Sequence, residues 1–133
     1  DVIRIHFDMP VRTVVANAKV ADDKGKVAVE RGPLVYCAEA VDNQNEPVLR
    51  AVMAKKPAFS VVDNYSIQNT ETKGAPAFSV KAIKADAQIL EEGANGVSVK
   101  NDVLTLIPYY AWNHRGANQM NVWFYQNLSV LDK

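Results

Sequence analysis

The sequence predicts an all-β fold, an antiparallel β-sandwich of jelly-roll-like form, on three observations. Short runs of alternating apolar and polar residues recur along the chain, the pattern of half-buried strands. Clusters of Gly, Pro, Asn and Asp separate those runs and supply the turns. No segment sustains the three- and four-residue apolar spacing of an amphipathic helix. Of the 133 residues 48% are hydrophobic and 23% charged, close to globular averages, which excludes a disordered or fibrous chain. The length suffices for one ordinary core, or for a small domain plus part of another, but not for a large catalytic barrel or a two-domain cofactor enzyme.

Taken in order, Val2–Phe7 alternates Ile3, Ile5 and Phe7 with Arg4 and His6, so a strand is expected there with His6 on its polar face. Met9-Pro10 breaks it, and the β-branched run Val11–Ala16 follows. Asp22-Asp23-Lys24-Gly25 supplies a turn into Lys26–Arg31, which suggests a hairpin. At Arg31-Gly32-Pro33 the ladder is interrupted, because proline has no N–H to donate and glycine permits a bulge or a close backbone approach. Leu34–Val41 then resumes as an apolar strand buried on both faces. Residues 42–48 are polar, turn-forming and contain Pro47, the best candidate linker. A boundary there makes residues 1–41 the closing strands of a preceding sandwich and residues 49–133 a C-terminal sandwich, since about 40 residues rarely close a core alone. Beyond it, Leu49–Met53, Phe59–Asp63 and Phe78–Ala85 read as strands, with a polar loop over residues 64–76. Asn95-Gly96 marks a tight turn, Val97–Lys100 and Val103–Pro108 read as a hairpin about Asn101-Asp102, and Met120–Tyr125 is the last long strand.

Several function classes are excluded by composition. Fifteen basic and fifteen acidic residues cancel, and the balance is local, with nine of each in residues 1–66 and six of each in residues 67–133. No strong field therefore draws nucleic acid or anionic lipid. One cysteine, Cys37, allows no intrachain disulfide, and with two histidines it cannot build a Cys-rich zinc site. Around Cys37 the longest apolar stretch, Leu34–Ala38, is far below the roughly 20 residues that span a bilayer, and no membrane partner is expected. The chain opens on Asp1 without a Met or a signal-like apolar core, and is expected to be a piece of something longer.

Chemistry-bearing side chains are densest at Ile107–Gly116. Tyr109, Tyr110, Trp112, Asn113, His114 and Arg115 lie together there. Two readings fit that composition. Aromatic and Arg anchors at a strand end plug a core or dock a neighbouring domain. Alternatively the rings stack on sugars while Asn, His and Arg bond hydroxyls. The first is favoured. Catalysis is not expected: neither His6 nor His114 has a nucleophile or an orienting carboxylate at recognisable spacing, and Glu30 and Glu39 read as strand residues rather than a glycosidase pair, Glu30 pairing with Arg31 or Lys26. Cys37, in an apolar strand without a cationic neighbour in sequence, reads as an inert buried thiol.

Two segments, taken together, resemble a known family. Asp8-Met9-Pro10-Val11-Arg12 followed by Gly25-Lys26-Val27-Ala28 and by Glu30–Glu39 (ERGPLVYCAE) is similar to the region after the catalytic barrel in glycoside hydrolase family 127. Leu106–Gly116 (LIPYYAWNHRG), with Met120, Val122 and Trp123 after it, resembles that family's C-terminal end. The family includes β-L-arabinofuranosidases. The resemblance implies that an (α/α) barrel outside this chain carries the active site, with a Cys nucleophile, a Glu acid/base and a zinc ion held by further Cys and a Glu. No catalytic or metal-binding residue is carried over, since Cys37 matches the sandwich strand and not the nucleophile. Asn113-His114 stands where relatives often have smaller residues.

The resemblance implies a non-catalytic accessory region that braces the catalytic barrel, or an oligomer partner, through the Tyr109–Arg115 loop. The alternative is a carbohydrate-binding module using Tyr109, Tyr110, Trp112, His114 and Arg115. Structural roles are expected for Arg31, Gly32, Pro33, Tyr36, Cys37 and Trp123. No cofactor is expected in this chain, and a periplasmic or secreted parent enzyme is expected by analogy alone.

Overall fold

The computed structural model describes residues 10–15, 26–44, 47–54, 57–70, 73–94, 96–116 and 118–126. The strand expected over Val2–Phe7, including His6, and the turn at residues 22–25 lie outside them. Nine strands form among the described residues: β1 (Val11–Val15), β2 (Lys26–Arg31), β3 (Leu34–Glu39), β4 (Ala51–Met53), β5 (Phe59–Ile67), β6 (Phe78–Gly93), β7 (Gly96–Pro108), β8 (Met120–Asn121) and β9 (Phe124–Gln126). Three short 3₁₀ turns, Ala40–Asp42, Val48–Arg50 and Tyr109–Ala111, are the helical elements among them. None is long and apolar enough to cross a membrane, a statement that leaves strands aside.

The sheet closes on itself. β2 pairs β9, β9 pairs β4, β4 pairs β6, β6 pairs β7, β7 pairs β3, and β3 returns to β2. All of these pairings are antiparallel except β4–β9, which is parallel through Val52↔Tyr125 and Met53↔Gln126. The expected antiparallel jelly-roll-like sandwich is thus corrected to a six-stranded mixed barrel, with β1, β5 and β8 added outside the ring. Period-two alternation identifies a buried face but not whether that face packs on a second sheet or curls to meet itself. Closure here depends on β4 and β9, three residues each and too short to show a period.

Two apolar layers follow from the alternation. Val27 and Val29 of β2, Tyr36 and Ala38 of β3, Ala51 and Met53 of β4, Ile83–Ile89 at alternate positions of β6, Leu104 and Leu106 of β7 and Phe124 of β9 fill the barrel. On the outer side of its wall, Cys37, Ile107, Val80, Ile67 and Ala111 form a second cluster, covered by Tyr65, Phe78, Trp112, Met120 and Val122. Both faces of β3 are therefore buried, which accounts for its nearly unbroken apolar run. Strands from either side of residues 42–48 contribute to the barrel core.

Several local readings change. The loop expected over residues 64–76 starts later, since β5 continues to Ile67, and the strand expected over Leu49–Met53 begins only at Ala51, after the Val48–Arg50 turn. Asn101-Asp102 is not a turn: β7 runs straight through it, with Asn101 opposite Gln88 and Asp102 opposite Ala87. The hairpin instead reverses between Gly93 and Gly96, where Gly96 takes a φ of 105° that L side chains avoid. Met120–Tyr125 is split by a bend at Val122-Trp123, so that β8 pairs β3 and β9 inserts between β2 and β4. The strand expected over Leu34–Val41 ends at Glu39, beyond which the chain turns.

If closure rests on β9, Phe124, wholly buried in the barrel, is its anchor. Phe124→Ala is expected to cost about 3–5 kcal/mol. In a thermal melt this reads as a Tm lower by roughly 10 °C or more. A shift of a degree or two would mean that β9 does not close the barrel.

Candidate functional site

Pro108 ends β7 and passes the chain into the 3₁₀ turn Tyr109–Ala111, closed by the Trp112 amide donating to the Tyr109 carbonyl at 3.3 Å. Asn113 (φ 70°) and Gly116 (φ 82°) then adopt left-handed backbone, which Asn tolerates better than most residues and Gly without cost. The loop so formed folds back over the outer face of the barrel wall. Its inner side is fixed at several points. The Thr70 amide donates to the His114 carbonyl at 2.7 Å, the His114 ring meets Phe78 edge-on with centroids 5.4 Å apart, and Ala111 and Trp112 pack into the outer apolar cluster.

The strongest of these fixings is ionic. Arg115 Nη2 donates to Glu39 Oε1 at 3.0 Å and to Asp42 Oδ2 at 2.7 Å, and its Nη1 donates to Asp42 Oδ1. Their side chains retain only 9%, 0% and 1% exposure for Arg115, Glu39 and Asp42. One cation faces two carboxylates, so the trio carries a surplus negative charge away from water, and neutral donors meet it. Tyr65 Oη donates to Asp42 Oδ1 at 2.6 Å, and Asn118 Nδ2 donates to Glu39 Oε2 at 3.0 Å. Asn43 extends the network: its Nδ2 donates to the Glu39 and Thr105 carbonyls, and its Oδ1 accepts the Thr105 amide at 2.7 Å. Asn118 Oδ1 accepts the Val41 amide at 3.2 Å.

These fields set the protonation states. Burial disfavours the Arg115 cation, but the hydrogen bonds and charges of Asp42 and Glu39 outweigh it and raise its pKa above the ordinary value. Burial, then the hydrogen bond and charge of Asp42, push the Tyr65 phenol up to about 12. Burial, then the charges of Glu39 and Asp42, push the Cys37 thiol up to about 12. The cysteine is therefore a protonated packing group at neutral pH.

The residues singled out from sequence divide accordingly. Arg115, Trp112 and His114 form the seat of the loop, and Tyr109 and Tyr110 project from it, 47% and 63% exposed. The Tyr109 and Trp112 rings stand 6.0 Å apart and are tilted by 37°. Gly32, with φ 58°, and Pro33 make the β2–β3 turn, Tyr36 and Cys37 are wholly buried on opposite faces of β3, and Trp123 sits in the bend before β9. Arg31 ends β2 with its Nε buried. Glu30 pairs with Arg12 at 2.9 Å instead of Arg31 or Lys26, and Glu39 is enclosed, so the two carboxylates share no cleft. No group of three or more His, Cys, Asp or Glu among the described residues could hold a metal ion. Asp42, Asn43, Tyr65 and Asn118 were not foreseen. The available signal was Glu39 itself, a carboxylate in a strand buried on both faces, which requires a cation.

Fold and site together define a small closed β-barrel domain that presents two tyrosines on an ionically fixed loop. The sequence supplies the family: a profile of the glycoside hydrolase family 127 C-terminal domain matches residues 11–125, and the chain belongs to that family. It is 35% identical over 124 residues to the non-reducing end β-L-arabinofuranosidase of Bifidobacterium longum subsp. longum, a match covering 90% of this chain and 19% of that protein. Among solved structures it is similar to the GH127 β-arabinofuranosidase BT3674, with 43% identity and a TM-score of 0.77 over 93% of this chain and 18% of that one. It also resembles Ara127N, a GH127 β-L-arabinofuranosidase from Geobacillus stearothermophilus T6, with 28% identity and a TM-score of 0.72 over 92% and 19%. The chain thus spans about a fifth of the length of these relatives.

Removing the cation strands two buried carboxylates, so Arg115→Met is expected to cost about 3–5 kcal/mol in a denaturant titration. A loss below 1 kcal/mol would show the trio to be solvated. The Cys37 thiol should be silent to a disulfide reagent at pH 8 and react only on unfolding. For both Cys37 and Tyr65 the folded pKa lies above the unfolded one, so as pH rises the unfolded chain loses its protons first. Their stabilising contribution is complete below about pH 9 and is lost between about 9 and 12. Melts across that range check the sign, and stability rising with pH would contradict it.

Proposed function

We propose that the chain is the non-catalytic accessory C-terminal domain of a β-L-arabinofuranosidase-like glycoside hydrolase, and that its Tyr109–Arg115 loop docks on the catalytic portion of that enzyme. The observation that carries this reading is the division within the loop: the tyrosines at its tip are exposed while the residues behind them are buried and ionically fixed. Rigid aromatic anchors lose little entropy when covered, which suits them to an interface. Family membership and the fifth of the relatives' length that the chain spans support the remainder of such an enzyme as the partner. A sugar platform is served less well, since it needs rings side by side and open. Here Trp112 is half-buried and tilted against Tyr109, and the Arg115 fork is already filled.

The chain alone should release no arabinose from an aryl β-L-arabinofuranoside, and turnover that survives repurification would overturn the accessory reading. In the longer enzyme, Tyr109→Ser combined with Tyr110→Ser should lower the Tm by several degrees, while the same pair leaves the Tm of this chain nearly unchanged. Equal effects in the two contexts would remove the docking role. Tryptophan fluorescence of the chain should stay flat on titration with arabino-oligosaccharides, and a saturable shift abolished by Trp112→Ala would establish the binding-module alternative.

A further inference from the structure

A trough runs along the outer face of the β6–β7 ladder. Ile83, Ala85, Ala87 and Ile89 of β6 and Leu104 and Leu106 of β7 turn into the barrel, so alternation sends the residues between them outward. The register sets these opposite one another as three rungs, Lys84↔Thr105, Asp86↔Val103 and Gln88↔Asn101. The first and third rungs are four residues apart along each strand, a separation of about 14 Å. Two hollows of about 390 and 250 Å³ lie along this strip and adjoin at Val103, itself 47% exposed; together they reach the size of small-molecule sites. Ala54 borders the first, and Asn43 and Gln44 border the second. That second border is held under strain: Gln44 has left-handed backbone at φ 57°, which residues other than Gly, Asn and Asp rarely adopt. The bonds from the Asn43 side chain to Glu39 and Thr105 fasten the turn to β7 and hold Gln44 at the rim. Backbone strain of this kind clusters where ligands are gripped.

We infer that this trough binds a neutral saccharide, a short chain of rings lying along the ladder. Its polar groups are of both kinds. Lys84 donates to Thr105 Oγ1 at a long 3.4 Å and has further protons to give, Asp86 accepts, and Gln88 and Asn101, joined by one bond of 3.2 Å, keep a free acceptor and free donors between them. A sugar hydroxyl both donates and accepts, so it suits such a mixed set. The ammonium of Lys84 and the carboxylate of Asp86 cancel, which leaves a charged ligand no net attraction. Exposed Val103, on the middle rung between them, offers an apolar seat for the C–H face of a ring. A peptide is served less well, because β6 and β7 already spend their backbone bonds on each other and leave no edge to extend. The Tyr109–Arg115 loop lines neither hollow, so this site is separate from the docking surface and can be filled while that surface is covered.

The test is amide NMR of the isotope-labelled chain, titrated separately with L-arabinose, an arabinofuranosyl disaccharide, galacturonate and glycerol. The disaccharide is expected to shift amides of residues 43–44, 84–88 and 101–105 saturably and to bind more tightly than the monosaccharide. Neither Trp112 nor Trp123 lines the trough, so tryptophan fluorescence stays flat in the same titration. Asp86→Ala and Gln88→Ala should each weaken the disaccharide about tenfold. Val99→Ala, at an exposed position on the same face outside the hollows, should leave binding unchanged. The map of shifts in the unmutated chain needs no variant to fold. Absence of saturation with either sugar, shifts centred on residues 109–115, or an equal response to glycerol overturns the site. Galacturonate binding more tightly than the neutral sugars overturns the ligand class.

Discussion

One guanidinium shared by two buried carboxylates is the constraint around which the outer half of this domain is arranged. Glu39 comes from the end of β3, Asp42 from the 3₁₀ turn after it, and Arg115 from a loop 73 residues further along the chain. Charges less than a tenth exposed are tolerated only when each is met by an opposite charge or a donor. Meeting them fixes the position of everything nearby: Tyr65 of β5 and Asn118 before β8 must present donors, and Asn43 must tie the turn to Thr105 of β7. The trio adds little net stability compared with an apolar core of equal volume, but it specifies one arrangement of the loop.

That specification connects the two apolar layers. The barrel interior would close without the loop, since its strands pair among themselves. The outer cluster would lose part of its cover, because Ala111 and Trp112 pack into it from the loop itself. With its base fixed on one side by Arg115 and on the other by the Tyr36–Pro108 pairing, the turn Tyr109–Ala111 has little freedom. Tyr109 and Tyr110 are consequently presented in a set direction, the property a docking surface needs and a freely moving aromatic loop lacks.

Much of this was legible in the sequence, and the rest was hidden for identifiable reasons. β1, β2 and the start of β3 follow from β-branched alternation and the Gly32-Pro33 break, and the runs RGPLVYC and IPYYAW carried the family. Barrel closure did not follow, because β4 and β9 are three residues each and one of their pairings is parallel, a long-range arrangement that no local pattern encodes. Asn101-Asp102 looked like a turn on propensity alone, but an 11-pair ladder with β6 overrides two weak strand formers. Asp42 and Asn43 looked like linker residues because polarity usually means solvent. They are polar because buried charge and buried backbone must be satisfied, and only Glu39, out of place among apolar neighbours, hinted at that.

The most direct measurement is a double-mutant cycle in equilibrium denaturation across Arg115→Met and Asp42→Asn. If the trio fixes the loop, the two losses are far from additive, with a coupling energy toward the upper end of contacting pairs, about 2–3 kcal/mol. A coupling below about 0.5 kcal/mol would mean that the charges act independently, and the loop would owe its position to apolar packing alone.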